Sequence, residues 1–394
     1  MDRTKFTAEA PGTLVPIATP KGRDWAFVPR PMPPDWEFPN ELWPLLAEAK
    51  EALGTLNGIG QTLPDPQLLL RPLQSREAIA SSRIEGTYVT PAQLLLYELD
   101  PRDGSRSDDN PSVNNWREVF NYNRAMKHGW EQIQTLPILN RVIKQMHGIL
   151  LDRVRGSDKR LGEFRQWQVQ LGSSGRFIPP PHTHVPDLMS NLEAFINSDN
   201  CAFDPLIRSY IVHYQFETIH PFADGNGRVG RALLALMIYK GLRHSFPWLY
   251  MSAFYDSYND EYIESLFNIS ARGDWNGWIS FCLRGTIAQA KDAIRRCHLF
   301  QEAKSRFHGQ VGSSSKRTHP LIDHLFVSPV ITIPSIQEKF DVTYKTAKKD
   351  IECLVNAGIL VEFPDEYPRS FFCRDIMKIA YSDTEEVAEE GEAT

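Results

Sequence analysis

The sequence predicts a mainly α-helical protein with one small β-hairpin and a second, smaller helical module near the C-terminus. Three observations lead there. Apolar residues recur at helical spacing over long stretches, as at Leu42, Leu45, Leu46, Ala49 and Leu53 or through Ala232–Ile238. Strict alternation is confined to short runs such as Trp167–Leu171. A Gly/Ser-rich, basic stretch, Gly309–Arg317, separates most of the 394 residues from a C-terminal block with its own helical periods. That length suggests two or three domains with a sizeable core. A net charge of −6 gives no global reason to expect nucleic acid or an anionic membrane as partner. The five cysteines (Cys201, Cys282, Cys297, Cys353, Cys373) are scattered and include no C-x-x-C pair, which argues against a disulfide framework or structural zinc and for a reducing cytoplasm. No apolar signal core and no run of roughly 20 apolar residues is present, so a soluble protein without a membrane span is expected.

Taken in order, residues 1–40 are rich in proline and short on periodicity, and predict an extended arm, with a disordered tail as the alternative for residues 1–15. A helix is expected from Glu41 to about Leu56, then a turn at Pro64-Asp65-Pro66, then a helix closed by Gly86, a good C-cap residue. Asp100–Asn115 reads as a polar surface connection. Helical patterns follow at 116–128, and at 136–152 with His147 as a structural residue. Trp167–Leu171, the turn Gly172–Gly175 and the returning Arg176–Ile178 predict a β-hairpin, ended by Pro179-Pro180-Pro181. A helix over Pro205–Thr218, with Ile207, Ile211, Tyr214 and Phe216 as core, would deliver His220 at its end. His182, His184 and His213 lack metal-site spacing, since no H-E-x-x-H is present. Beyond the linker, helices at Pro320–Val327, Ser335–Phe340 and Thr343–Ala357 and strands at Leu360–Phe363 and Ser370–Cys373 look like a winged helix. Lys345, Lys348 and Lys349 form a basic face there, suited to DNA phosphates, with protein docking or homodimer formation as the alternative. From Asp383 the chain is an acidic tail, expected to be disordered.

The chemistry concentrates in His220–Arg231. His220 supplies an imidazole, the side chain suited to general-base work near neutral pH. Asp224 is a hard oxygen ligand of the kind Mg²⁺ beside phosphates requires. Gly225-Asn226-Gly227 lets backbone N–H groups converge and a ligand approach closely. Arg228 and Arg231, three apart at the start of a helix, share a face. An anion there would meet free N–H groups, the positive end of a helix dipole and two guanidinium forks. Together these residues read as a polyphosphate site with a nucleophile activator.

The stretch resembles the signature of the Fic family, H-P-F-x-[DE]-G-N-G-R-x-x-R, matched at every fixed position, and the resemblance extends over roughly residues 25–300. It implies a helical enzyme that moves AMP from ATP onto a Tyr, Thr or Ser hydroxyl of a target protein, itself included. His220 would be the base, Asp224 the Mg²⁺ ligand, and Gly225, Asn226, Gly227, Arg228, Val229, Gly230 and Arg231 the ATP-binding run. Ser81-x-x-x-Glu85-Gly86 looks like the family's inhibitory motif. The resemblance implies a pair between Glu85 and Arg231 that keeps the ATP γ-phosphate out of its productive place. Gly162-Glu163-Phe164-Arg165 resembles the G-x-F-R before the family's flap, whose strands (Val169, Gln170, Leu171 and Arg176, Phe177, Ile178) would clamp the target by strand addition. Tyr262 sits where members hold adenine, and reads equally as a core aromatic. The implied layout is an N-terminal helical region (1–115, inhibitory helix at about 75–86), a catalytic core with its extension (116–308), a linker (309–317), a winged-helix-like domain (318–378) and a tail (379–394). Alternatives are a transcriptional regulator using the core as a nucleotide sensor, phosphotransfer, or removal of AMP from a modified target.

Overall fold

Helical periods of the sequence become, in a computed structural model, the following order of elements: β1 (Gly12–Thr19), β2 (Gly22–Pro29), α1 (Trp43–Thr62), α2 (Gln67–Ile84), α3 (Pro91–Leu99), α4 (Pro111–Ile133), α5 (Asn140–Leu150), α6 (Val185–Ile196), α7 (Pro205–Ile219), α8 (Asn226–Gly241), α9 (Ser252–Ser257), α10 (Asn259–Arg272), α11 (Trp275–Val311), α12 (Thr318–Leu325), β3 (Val330–Thr332), α13 (Ile333–Phe340), α14 (Tyr344–Asn356), β4 (Val361–Glu362), β5 (Ser370–Phe372) and α15 (Arg374–Tyr381). The structure describes all residues except 20–21, 64, 100–110, 155–159, 173–174, 312–316, 364–367 and 382–394. The expected Pro64 turn, most of the Asp100–Asn115 connection, the centre of the linker and the acidic tail therefore lie outside the described residues. No described helix is long and apolar enough to cross a membrane.

The centre of the molecule is the pair α7 and α8. Asp204 starts α7 by accepting the Leu206 N–H at 2.9 Å, with Pro205 at the first helical position, where its missing N–H costs nothing. Both helices are apolar on nearly every face, which is the pattern of a helix enclosed by others rather than lying on a surface. Aromatic layers close around them: Tyr214 against Trp275, and Tyr255, Tyr262, Trp278 and Phe281 in a cluster on His213 of α7.

Helix α2 is bolted to this centre rather than laid over it. Glu77 is buried on α2 and accepts from Tyr122 Oη (2.8 Å), the Ser252 N–H (3.0 Å) and Ser252 Oγ (2.5 Å). Burial raises its pKa, and the hydrogen bonds offset part of that rise. Arg76, one residue earlier, reaches Asp292 of α11 at 3.1 Å. Glu77→Ala would leave these enclosed donors without an acceptor. A loss of about 2–4 kcal/mol in unfolding free energy is expected, read by denaturant titration; a loss under about 0.5 kcal/mol would mean that the bolt is dispensable.

Two expectations change. Strands β1 and β2, expected as an arm or a tail, pair antiparallel from Gly12↔Pro29 to Thr19↔Gly22. Their anchor is Phe27, fully buried against Phe6 and Phe177. A Cβ on Gly12 would come within 2.4 Å of the Phe27 ring, so strand β1 can cross there only as glycine. Conversely, the hairpin expected over Trp167–Ile178 shows, among the described residues, one antiparallel bridge, Leu171 with Phe177. Its returning limb is already engaged, because the Ile178 carbonyl accepts the Phe27 N–H at 2.9 Å.

At the C-terminal end α11 continues through the first linker residues to Val311. Helices α12, α13 and α14 and strands β4 and β5 fall where the periods placed them, and β3 completes an antiparallel sheet of order β3-β5-β4. A capping box at Thr332 and Ser335 starts α13, and Thr343 caps α14 through Thr346. Helix α15 packs back on α11, where Arg296 donates to the Ile379 carbonyl.

Candidate active site

The chain turns from α7 into α8 through a corner that only a few residue types tolerate. His220 ends α7 with φ 49° and ψ 63°, a left-handed conformation that is strained for a residue with a side chain. Gly225 then sits at φ 73° and caps α8 through its backbone. Phe222 fills the corner from inside, stacked on His147 at 3.9 Å. Asn226 braces it: Oδ1 accepts the Phe222 N–H at 2.8 Å and Nδ2 donates to the Phe222 carbonyl at 2.9 Å. His147 accepts the Gly162 N–H on Nδ1 at 2.9 Å, so its proton lies on Nε2, which donates to the Asp224 carbonyl at 3.1 Å. Burial pushes this imidazole down to about 4 and keeps it neutral, the structural role expected for it.

No side chain caps α8, and the first intrahelical bond runs from the Val229 N–H to the Gly225 carbonyl. The N–H groups of Asn226, Gly227 and Arg228 thus head the helix, with the positive end of its dipole behind them. Over Gly227 lies the carboxylate of Glu85: a Cβ added there would meet Glu85 Oε1 at 2.2 Å and Arg231 Nη1 at 2.9 Å. Arg231, 3% exposed, donates from Nε to Ser81 Oγ (2.9 Å) and from Nη2 to the Ser81 carbonyl (2.7 Å) and Glu85 Oε1 (2.8 Å). Ser81, Glu85 and Arg231 are thereby brought together. Gly86, at φ 82°, ends α2 just beyond Glu85. Enclosure of the Glu85 carboxyl tends to raise its pKa, but the Arg231 charge and hydrogen bond outweigh it and hold the group below the usual range. Arg228 is likewise engaged, 3.2 Å from Glu118, with both side chains 6% exposed. Asp224 stands partly exposed at the corner, its Oδ1 accepting the Gly225 N–H at 2.7 Å.

The His220 imidazole is pushed down to about 4, first by burial and then by the Arg165 cation, with Glu85 and Asp224 acting in the opposite sense. At neutral pH the ring is uncharged and free to accept a proton.

Several residues expected to meet a ligand are turned elsewhere. The Asn226 amide is engaged with the Phe222 backbone, so what this residue offers an anion is its N–H. Val229 is core, and Gly230 packs against α7, where a Cβ would come within 2.1 Å of Glu217 Oε1. Tyr262 is 4% exposed, its hydroxyl 2.9 Å from His213 Nε2 and its ring 4.3 Å from Tyr255, the surroundings of a core aromatic. Among the flap residues, Ile178 is buried, whereas Val169, Leu171, Arg176 and Phe177 are half-buried and Gln170 is exposed. Arg176 lies over the Phe267 ring at 4.2 Å and pairs with Glu264.

Sequence reasoning missed two residues. Glu217 lies beside Arg231, pushed up to about 8 by burial against the pull of the Arg231 charge, and its Oε1 has no hydrogen-bond partner among the described residues. Arg165 is fully enclosed beneath the His220 corner. The Phe216–His220 run carried a signal for the first, an acid one turn before the base. Nothing beyond the G-x-F-R resemblance pointed to the second.

Residues 137–238 match the Fic/DOC family and residues 43–131 the Fic/DOC family N-terminal region. The chain is 31% identical over 166 residues to the protein adenylyltransferase Fic of Drosophila virilis, covering 42% of this chain and 32% of that protein. The protein of the same name from Drosophila grimshawi matches to the same extent. The chain thus spans about a third of the length of the curated relatives it matches. A Fic family protein from Desulfovibrio desulfuricans G20 superposes with a TM-score of 0.55 at 20% identity, covering 87% of this chain and 98% of that one. A Fic domain containing signaling protein from Bacteroides thetaiotaomicron does so with a TM-score of 0.51 at 20% identity, covering 64% and 97%. The mainly helical fold is therefore that of Fic proteins.

Proposed function

For a chain that carries the Fic/DOC N-terminal and Fic/DOC domains, we propose transfer of AMP from ATP to a Tyr, Thr or Ser hydroxyl of a target protein, itself included, restrained by Glu85. The observation that carries this reading is the position of the Glu85 carboxylate. It lies on Gly227 at the head of α8, paired with Arg231, where an acidic side chain occupies the kind of place an anionic ligand would take. The relatives' name, protein adenylyltransferase, supports AMP as the group moved.

In the proposed reaction, neutral His220 accepts the proton as the target hydroxyl oxygen bonds to the α-phosphorus, and the bond from that phosphorus to the pyrophosphate oxygen breaks. The products are an AMP ester on the target and pyrophosphate. The N–H groups of Asn226, Gly227 and Arg228 face charge growing on the α-phosphate. Arg228, held by Glu118, steadies the departing pyrophosphate, and Arg231 takes the γ-phosphate once Glu85 has left. A single partly exposed carboxylate at the corner, Asp224, suits Mg²⁺, which binds through one or two carboxylates together with substrate phosphates. When bound, the ion offsets charge on those phosphates. The segment 168–178 would present the target hydroxyl to His220.

Incubating the Glu85→Gly variant with ATP labelled at either the α- or the γ-phosphate tests the proposal. Label from the α position is expected on protein; label from the γ position alone would point to phosphotransfer and overturn it. The low pKa of His220 sets a second expectation. The base works while unprotonated, so transfer should persist as pH falls below 6.5 and be lost only as pH falls through about 4. Removing Glu85, whose charge raises that pKa, should move the acid limb no higher. A limb near 6.5 in the initial rates would mean a solvated imidazole and a different base environment.

DNA binding through residues 318–378 has thinner support. Lys345 and Lys349 are exposed, but Lys348 lies 3.7 Å from Glu352, so acid interrupts the basic face. This balance favours protein docking for the module.

A further inference from the structure

Arg165 is 3% exposed and makes no ion pair among the described residues. A buried guanidinium without a carboxylate is costly, so its donors must be engaged by something else. Here they meet main-chain carbonyls. Nε donates to the His220 carbonyl at 2.8 Å, Nη1 to Trp167 at 3.0 Å, and Nη2 to Pro180 at 2.5 Å and Ile219 at 3.4 Å. The Arg165 backbone N–H adds the Pro221 carbonyl at 2.8 Å. Three successive carbonyls of the left-handed corner, Ile219, His220 and Pro221, therefore accept from this one residue. The same guanidinium holds a carbonyl on each side of the segment 168–178, at Trp167 and at Pro180.

We propose that Arg165 is a positioning residue that fixes the His220 corner and both ends of the 168–178 segment in a single register, so that a hydroxyl carried by that segment arrives at the imidazole. The inference rests on the transfer reading above. The planar fork is what the task requires, since five donors in a rigid plane can serve carbonyls converging from separate segments, and an ammonium cannot. The strained backbone of His220 also requires an external hold. Electrostatics acts in the same direction: the cation disfavours the imidazolium form of His220, whose other charged neighbours are Glu85 from α2 and Asp224 in the loop.

The test uses the full chain with Glu85→Gly as background, adding Arg165→Lys or Arg165→Met. Arg165→Lys keeps the charge and loses the fork; thermal melting checks that each variant folds. Target modification by Arg165→Lys should fall about 100-fold in kcat/KM, with a rise in KM for the target protein and ATP affinity within about twofold of the background, as a lost register rather than a lost nucleotide site demands. In metal-free protein with labelled histidine, the His220 resonance, assigned against His220→Ala, should titrate at a higher pH in Arg165→Met than in the parent, and stay nearer the parent in Arg165→Lys. Folded variants that keep the parent's KM for target and the parent's His220 titration would overturn the proposal and leave Arg165 as packing. If the Glu85→Gly parent modifies nothing, the transfer reading fails on its own account, and the titration still decides whether Arg165 holds the imidazole.

Discussion

Alanine in place of His220 is expected to lower AMP transfer by a factor of about 10²–10⁴, the usual worth of a positioned general base. The expectation comes from placement. The imidazole ends α7 in a left-handed turn held by the Phe216 carbonyl, which accepts its N–H at 2.9 Å, and by the donors of Arg165. It sits beside the head of α8 without forming part of the N–H group there. Removing the ring should therefore spare nucleotide binding while removing the proton acceptor. The measurement is initial-rate transfer from α-labelled ATP with Glu85→Gly as background, alongside ATP affinity by calorimetry. His220→Gln, which keeps a polar side chain of similar reach, should be nearly as slow. Should either variant retain transfer within about tenfold of its parent, the proton must leave to another group and the general-base assignment fails.

How much of this was legible beforehand depended on whether a feature is carried by residue types or by backbone. The corner was legible because each of its parts demands a particular residue: an imidazole, a carboxylate, a glycine at positive φ at Gly225, a glycine without room for a Cβ at Gly227 and an arginine at a fixed helical offset. The meeting of Glu85 with Arg231, 146 positions apart in sequence, was available only through resemblance, since no local pattern encodes it. Arg165 was illegible for a different reason. Its partners are carbonyls, which every residue has, so no residue type betrays them. Tyr262 was ambiguous because an aromatic at helical spacing fits core and crevice alike, and its buried partner His213 comes from another helix. The N-terminal hairpin was hidden by proline. Pro16 interrupts the alternation of β1 and stands opposite Trp25, while the force holding the hairpin is the distant pocket of Phe27. Strand β2 also reaches the returning limb of the expected flap, where the Ile178 carbonyl accepts the Phe27 N–H.

Glu85→Gly is expected to raise transfer from ATP by about tenfold or more. A charge-assisted hydrogen bond contributes about 1.5–3 kcal/mol, and each 1.4 kcal/mol is about tenfold. The lower end applies because the Glu85 side chain keeps 37% exposure and solvent screens the pair. Release should not misplace the arginine. Ser81 still accepts from Nε and Nη2, so Arg231 remains aimed at the head of α8 with one donor freed. Nor should the variant lose its fold, since the buried guanidinium keeps both Ser81 acceptors and α2 is held independently by Glu77 and Arg76. On the proposed reading, a helix fixed in this way would stay in place on relief, with only the carboxylate at its C-terminal end moving off Gly227. Glu85→Gln, which keeps the volume over Gly227 but not the charge, should therefore fall between wild type and Glu85→Gly. Self-modification with α-labelled ATP measures all three proteins. Equal rates for wild type and Glu85→Gly would make the Glu85–Arg231 pair a structural contact, and a Glu85→Gln rate matching Glu85→Gly would assign the inhibition to charge alone.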